Sequence, residues 1–180
     1  MSSTPKKRAP YNRSIELTEK DFAEIKTRLI KVTSSIDTKN ISNKIIIQNL
    51  FEVIPKLPSG FVDLLFIDPP YNLTKTFNKN SFKEISINEY EDWIESWLKP
   101  ILRILKPDAS VYICCDWKSS SSIFKVASKY LKVRNRITWE REKGRGAKAN
   151  WKNCSEDIWY FTVSDEFTFN LDEVKMKRRV

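Results

Sequence analysis

The first apolar recurrence along the chain is helical. Phe22, Ile25 and Leu29 fall at i, i+3 and i+7 within residues 18–31, and Thr18 with Asp21 has the spacing of a capping pair. Residues 44–48, Lys-Ile-Ile-Ile-Gln, read as a short strand, and 49–57 as a helical stretch ending near Pro58 and Gly60. Residues 62–67 read as an apolar strand. The strongest helical pattern covers 88–106, with Ile94, Trp97, Leu98, Ile101 and Leu105 on one face; Pro100 predicts a kink or break inside it. A buried strand over 110–115, a helix over 119–131 and an alternating strand over 133–140 follow. Residues 141–152 form a basic loop, and 156–163 and 166–170 read as strands joined by a turn at Ser164-Asp165. Strands alternating with helices predict an α/β layer fold with a mostly parallel sheet.

Composition narrows the picture. With 180 residues, 41% of them hydrophobic, the chain can bury one sizeable core, a single domain or a large part of one. Residues 1–14 carry Lys6, Lys7, Arg8 and Arg13 without apolar periodicity and read as a basic flexible arm preceding a folded part, 15–180. No apolar run approaches the ~18 residues of a membrane span, and no signal peptide is evident, so a cytoplasmic protein without membrane contact is expected. A net charge of +9 favours a polyanionic partner. Cys114, Cys115 and Cys154 lack metal-ligand spacing and read as reduced thiols, with no metal site expected. The chain contains no histidine, so its chemistry must proceed without imidazole. Its three glycines form no G-x-G-x-x-G turn.

The candidate chemistry sits at Asp68-Pro69-Pro70-Tyr71. In open α/β sheets ligands lie beyond the carboxyl ends of strands, where this tetrapeptide falls if 62–67 is a central strand. Consecutive prolines fix two φ angles and withhold two donors, leaving the carbonyls of Asp68 and Pro69 as acceptors beside an aromatic ring. That combination suits an amino group on a flat heterocycle, with two N–H donors to match and a ring to stack. A Pro-Pro turn leaving a strand is the plainer alternative; the flanking acid and aromatic favour a site.

These residues resemble the signature of the DNA amino-methyltransferases, in which a strand is followed by Asp, Asn or Ser, then Pro-Pro and an aromatic. The resemblance extends to Asn72-Leu-Thr-Lys75, similar to the mobile loop after the signature, and to 105–113, similar to the family's helix-to-strand step. Residues 137–146 and Ser155-Glu-Asp-Ile158 look like its later motifs. It implies a Rossmann-like methyltransferase fold with helices on both faces of the sheet, S-adenosylmethionine as cofactor and double-stranded DNA as partner. It further implies that Asp68 and the Pro69 carbonyl accept from the amino group of a flipped base, turning its lone pair toward the methyl donor, while Tyr71 stacks on the base and Pro70 stiffens the turn. Asp rather than Ser at position 68 points to adenine N6, with cytosine N4 as the alternative. Restriction-modification is the expected setting.

Two departures qualify this. Where the family has Gly-Asp, the acid binding the adenosyl amine, this chain has Gln48-Asn49; Asn49 could accept that bond or cap a helix. The family's later Gly-rich cofactor motif and its target-recognition region have no counterpart here. The chain thus reads as an incomplete, catalytic half: a truncated copy, an excised fragment or one subunit of a split enzyme. A second polypeptide carrying the Gly-rich motif, or a homodimer, would complete it. A non-catalytic DNA-binding remnant is the competing reading.

In the basic loop, Lys143, Arg145, Lys148, Trp151 and Lys152 interleave cations, glycines and an aromatic, suiting phosphate contact with a stacking or wedging ring. Asn72 and Lys75 are DNA candidates beside the signature. A solvated loop with Trp151 packed on the core is the bland alternative. Trp93 and Trp97, four apart on the long helix, read as packing. Asp116 reads as a helix N-terminal acid, and the 175–179 run as a solvated or DNA-contacting edge.

Overall fold

The structure, a computed structural model, describes residues 17–77, 80–145, 151 and 153–175. The basic arm at 1–14, Lys148, Lys152 and nearly all of the 175–179 run lie outside the described residues.

Helix α1, Glu19–Arg28, begins as the capping pair predicts. Thr18 Oγ1 accepts from the Asp21 amide while the Asp21 carboxylate accepts from the Thr18 amide. Strand β1 (Leu29–Ile30), helix α2 (Thr38–Ile41) and strand β2 (Ile45–Ile46) follow, and β1 and β2 pair in parallel as a sheet of their own. The strand expected over 44–48 is therefore shorter and separate from the main sheet. The Gln48 side chain accepts from the Val32 amide (2.5 Å) and donates to its carbonyl (3.1 Å), occupying backbone groups that a longer ladder would use. The helix expected over 49–57 divides into α3, Leu50–Val53, and a 3-10 turn, Ile54–Lys56, because Pro55 has no amide to continue the α-ladder.

The remaining elements are β3 (Val62–Ile67), β4 (Lys75–Phe77), β5 (Asn80–Phe82), α4 (Ile87–Ile101), β6 (Leu105–Cys115), α5 (Ser120–Ala127), β7 (Lys132–Arg145), β8 (Asn153–Thr162) and α6 (Leu171–Val174). Helix α4 opens with a reciprocal capping box between Ser86 and Glu89 and buries Tyr90, Ile94, Trp97, Leu98 and Ile101. Pro100 falls in its last turn, after which a 3-10 turn, Leu102–Ile104, leads into β6, so the helix stops short of the expected 106. Ser86→Ala, which removes the cap, is expected to lower stability by about 1 kcal/mol, seen as a lower urea midpoint with unchanged slope.

The main sheet has the order β3-β6-β8-β7. The α/β layer class is as expected, but the sheet is mixed: β3 runs parallel to β6, whereas β6–β8 and β7–β8 are antiparallel. The physical reason is connection length. The link from Arg145 to Asn153 is too short for a crossover and can only return as a hairpin. Pro107 is accommodated where the β3–β6 register shifts, between the pairs Val62↔Leu105 and Leu64↔Ser110.

One face of the sheet carries Leu65, Ile67, Val111, Ile113, Cys115, Trp159 and Phe161, packed with α4 and α5 in the core. Trp97 is buried and meets Trp93 edge-on, which is the packing role read from their spacing. The other face carries an aromatic row, with Tyr112 and Tyr160 stacked at 4.7 Å and Phe66 at 6.3 Å from Tyr112. Phe167 and Phe169 lie against Tyr160, both at about 6 Å. Their alternation produced the expected strand at 166–170; the segment instead has no ladder partner and is held by these rings and by Arg134 over Phe167. Among the described residues no helix is long and apolar enough to cross a membrane.

Candidate active site

Strand β3 ends at Ile67, paired with Ile113 of β6, so Asp68 emerges at the carboxyl edge of the two parallel strands, where the sequence placed it. The signature is fixed from behind. Pro69 is buried; the Tyr90 hydroxyl of α4 donates to the Pro70 carbonyl at 3.0 Å, and the Asn72 amide donates to Ser119 Oγ at 3.4 Å. The Asn72 side chain clamps Ile85, donating to its carbonyl at 2.8 Å and accepting from its amide at 2.9 Å. With both side-chain atoms used, Asn72 acts on the loop; the expected DNA contact of its side chain would have to displace this clamp.

Asp68 is exposed and accepts from the Tyr71 hydroxyl at 3.0 Å. Burial, then the hydrogen bond to Asp68 and the charges of Asp68 and Glu156, hold the Tyr71 phenol well above its ordinary range, so it stays a neutral donor. No described residue donates to the Pro69 carbonyl. A cavity of about 440 Å³ opens over these groups, lined by Asp68, Pro69, Pro70, Tyr71, Leu73, Lys75, Phe82 and Glu156. The structure therefore brings Lys75 to the signature. It also adds Leu73, Phe82 and Glu156, which the sequence reading did not single out as site residues. Phe82 arrives because β4 and β5 form a short hairpin, for which the Asn-rich 78–80 turn was the available signal.

Other expected positions lie elsewhere. Asn49 is the N-cap of α3, its Oδ1 accepting from the Phe51 amide at 2.9 Å, which is the capping alternative for this residue. Asp116 accepts from the Ser119 amide at 2.8 Å, ahead of α5. Lys143 and Arg145 lie on the end of β7, which extends into the expected basic loop. Trp151 is 96% exposed, so it does not pack on the core.

The comparisons with known proteins agree with this geometry. A family model described as DNA methylase (N6_N4_Mtase) matches residues 62–179. The Type II methyltransferase M.HpaI of Haemophilus parainfluenzae is 30% identical over 142 residues, covering 77% of this chain and 45% of that protein. M1.MboII of Moraxella bovis is 35% identical over 136 residues, covering 74% and 51%. The chain thus spans about half the length of these curated relatives. Among solved structures, the PvuII DNA methyltransferase (cytosine-N4-specific) superposes with a TM-score of 0.58 at 19% identity, covering 79% of this chain and 54% of that one. A DNA modification methylase of Thermus thermophilus, TTHA0409, complexed with S-adenosyl-L-methionine, gives 0.53 at 17% identity, covering 71% and 56%.

The methyl-bearing end of that cofactor is a sulfonium cation, and the carboxylates of Asp68 and Glu156 beside the rings of Tyr71 and Phe82 suit a cation. The described residues fit that end of the molecule. With its rigid acid and carbonyl at a strand's carboxyl edge, an aromatic hydrogen-bonded to the acid, and a matching family model, the chain belongs to the DNA methylase family of N6- and N4-amino-methyltransferases, which use S-adenosylmethionine.

Proposed function

We propose that this chain is the catalytic half of a DNA methyltransferase that transfers a methyl group from S-adenosylmethionine to the N6 amino group of adenine in double-stranded DNA, in a cytoplasmic restriction-modification system. The observation that carries the reading is Asp68-Pro69-Pro70-Tyr71 held as a fixed ledge at the end of β3, its acid and the Pro69 carbonyl facing a cavity large enough for a base.

The cofactor, when bound, supplies an electrophilic methyl group. The chain's own part is to hold the base. The Asp68 carboxylate and Pro69 carbonyl accept the two amino hydrogens, which draws the amino lone pair out of conjugation with the ring and toward the incoming carbon. Tyr71 stacks on the ring. Positive charge develops on the amino nitrogen as the bond forms, and Asp68 stabilises it; positioning and electrostatics carry the step, without a covalent intermediate or imidazole. Lys75, Lys143, Arg145, Lys148, Trp151 and Lys152 contact the DNA around the flipped base, consistent with the net charge of +9. A second polypeptide with a Gly-rich loop, or a second copy of the chain, completes the cofactor pocket, with Asp68 at its methyl end. Asn49 joins that pocket only if its amide leaves the α3 cap.

Cytosine N4 is the second reading, favoured by the superposition on the cytosine-N4-specific PvuII enzyme. Nucleoside analysis of methylated DNA separates the two products.

Calorimetric titration of S-adenosylmethionine into the chain alone, and into the chain mixed with the product of the adjacent gene, tests the half-enzyme reading. Binding only in the mixture is expected. In that mixture Tyr71→Ala is expected to lower methyl transfer about 10- to 100-fold, since stacking contributes about 1–3 kcal/mol per base. Heat in neither titration would leave a DNA-binding remnant.

A further inference from the structure

The cavity has a second acid besides the signature's own, and the strand register explains its position. Cys114 of β6 pairs with Ile158 of β8, which puts Glu156 two residues further along β8 on the same sheet face as Cys114, beyond the end of β3. Burial raises the Cys114 thiol to about 11, with help from the charges of Asp68 and Glu156, so a neutral thiol lies within reach of both carboxylates. Arg141 of β7 fixes Glu156: its Nη2 donates to Glu156 Oε1 at 2.7 Å and lies 3.4 Å from the Ser155 carbonyl. Both side chains are largely buried, 29% and 21% exposed, and Arg141 Nε is buried without an acceptor. That guanidinium keeps Glu156 ionised beside a like charge and fixes its direction. No described residue donates to Glu156 Oε2.

We propose that Glu156, anchored by Arg141, is a specificity-determining residue that admits bases carrying an exocyclic amine and rejects those carrying a keto oxygen at the same place. This rests on the reading above, in which a base enters this cavity. The polar groups that could meet the base's reacting edge are mostly acceptors: the Asp68 and Glu156 carboxylates and the Pro69 carbonyl. The Tyr71 hydroxyl is committed to Asp68, and the exposed Lys75 is the cation among the lining residues. Adenine and cytosine present an amine to such a wall and satisfy it. Guanine and thymine present a carbonyl oxygen, which would set lone pairs against two carboxylates and leave the acceptors unpaired. Rejection by repulsion is as effective as attraction in setting a preference. Asp68 supplies part of the discrimination; Glu156 supplies the part that a signature-only site would lack.

Saturation-transfer NMR on the chain with the four deoxynucleoside monophosphates tests this without cofactor, recognition sequence or methyl transfer. The wild-type chain is expected to favour the adenine and cytosine nucleotides by about tenfold, roughly one well-matched hydrogen bond. In Glu156→Gln, whose amide can turn a donor toward a keto oxygen, the preference is expected to fall to about twofold. Glu156→Asp keeps the charge for Arg141 but draws it back from the cavity, and should give an intermediate value even if the amide variant folds poorly. No amine preference in the wild type, or an undiminished one in the variants that fold, would overturn the proposal. Either result leaves the transferase reading standing, because cofactor titration and product analysis test it separately.

Discussion

Replacing Asp68 by alanine is expected to lower methyl transfer about a thousandfold, close to 4 kcal/mol of transition-state stabilisation, while leaving the fold in place. The size follows from where the acid stands. Asp68 is the exposed carboxylate at the point where positive charge builds on the amino nitrogen, and among the described residues its one side-chain partner is the Tyr71 hydroxyl. Its removal takes a charge from the reacting atoms and a single exposed hydrogen bond from the protein, so thermal melting should barely move. Asp68→Asn keeps the shape and one acceptor oxygen and should retain more activity than alanine. Labelled methyl incorporation by the completed enzyme, measured at saturating DNA, reads the effect as a loss of kcat. Full activity in Asp68→Ala would remove the signature from the chemistry.

The largest expected stability effect belongs to Phe161→Ala. Phe161 is fully buried on β8, in the same cluster as Ile94, Leu98, Val111, Ile113 and Ile123. Truncating the ring removes its burial and leaves a cavity that paired strands and two helices can close only in part, at a cost of about 3–5 kcal/mol. Against a total stability of about 5–15 kcal/mol, that is enough to unfold a large fraction of the molecules under mild denaturant. Guanidinium unfolding followed by tryptophan fluorescence reports it, since Trp97 and Trp159 lie in or against the same cluster. A loss below about 1 kcal/mol would mean that the sheet's packed face is elsewhere.

The same strand shows what could and could not be read in advance. Strand β3 and its signature were legible because a bounded apolar run ends abruptly in two prolines, two local signals that agree. Helix α4 was legible because its apolar face repeats over four turns behind a Ser86–Glu89 box. Glu156 was readable as a motif residue but not as a wall of the cavity. Its place beside Asp68 depends on β8 lying next to β6 in the sheet, a long-range pairing that no local pattern encodes. The extension of β7 to Arg145 was hidden by its charged residues, which read as loop although the β8 ladder holds the backbone there. At Phe167 and Phe169 the alternation reported burial truthfully and strand pairing falsely, because ring packing on Tyr160 gives the same period.

The Asn72–Ile85 clamp also bears on how fast the site can engage its ligand. Its two hydrogen bonds close the loop that carries the β4–β5 hairpin, so the configurational entropy of ordering the signature's exit is lost once, as the chain folds. An arriving base then meets a surface already in its bound shape. The entropic part of the association barrier is left to the nucleic acid, which must unstack the base, and not to the protein.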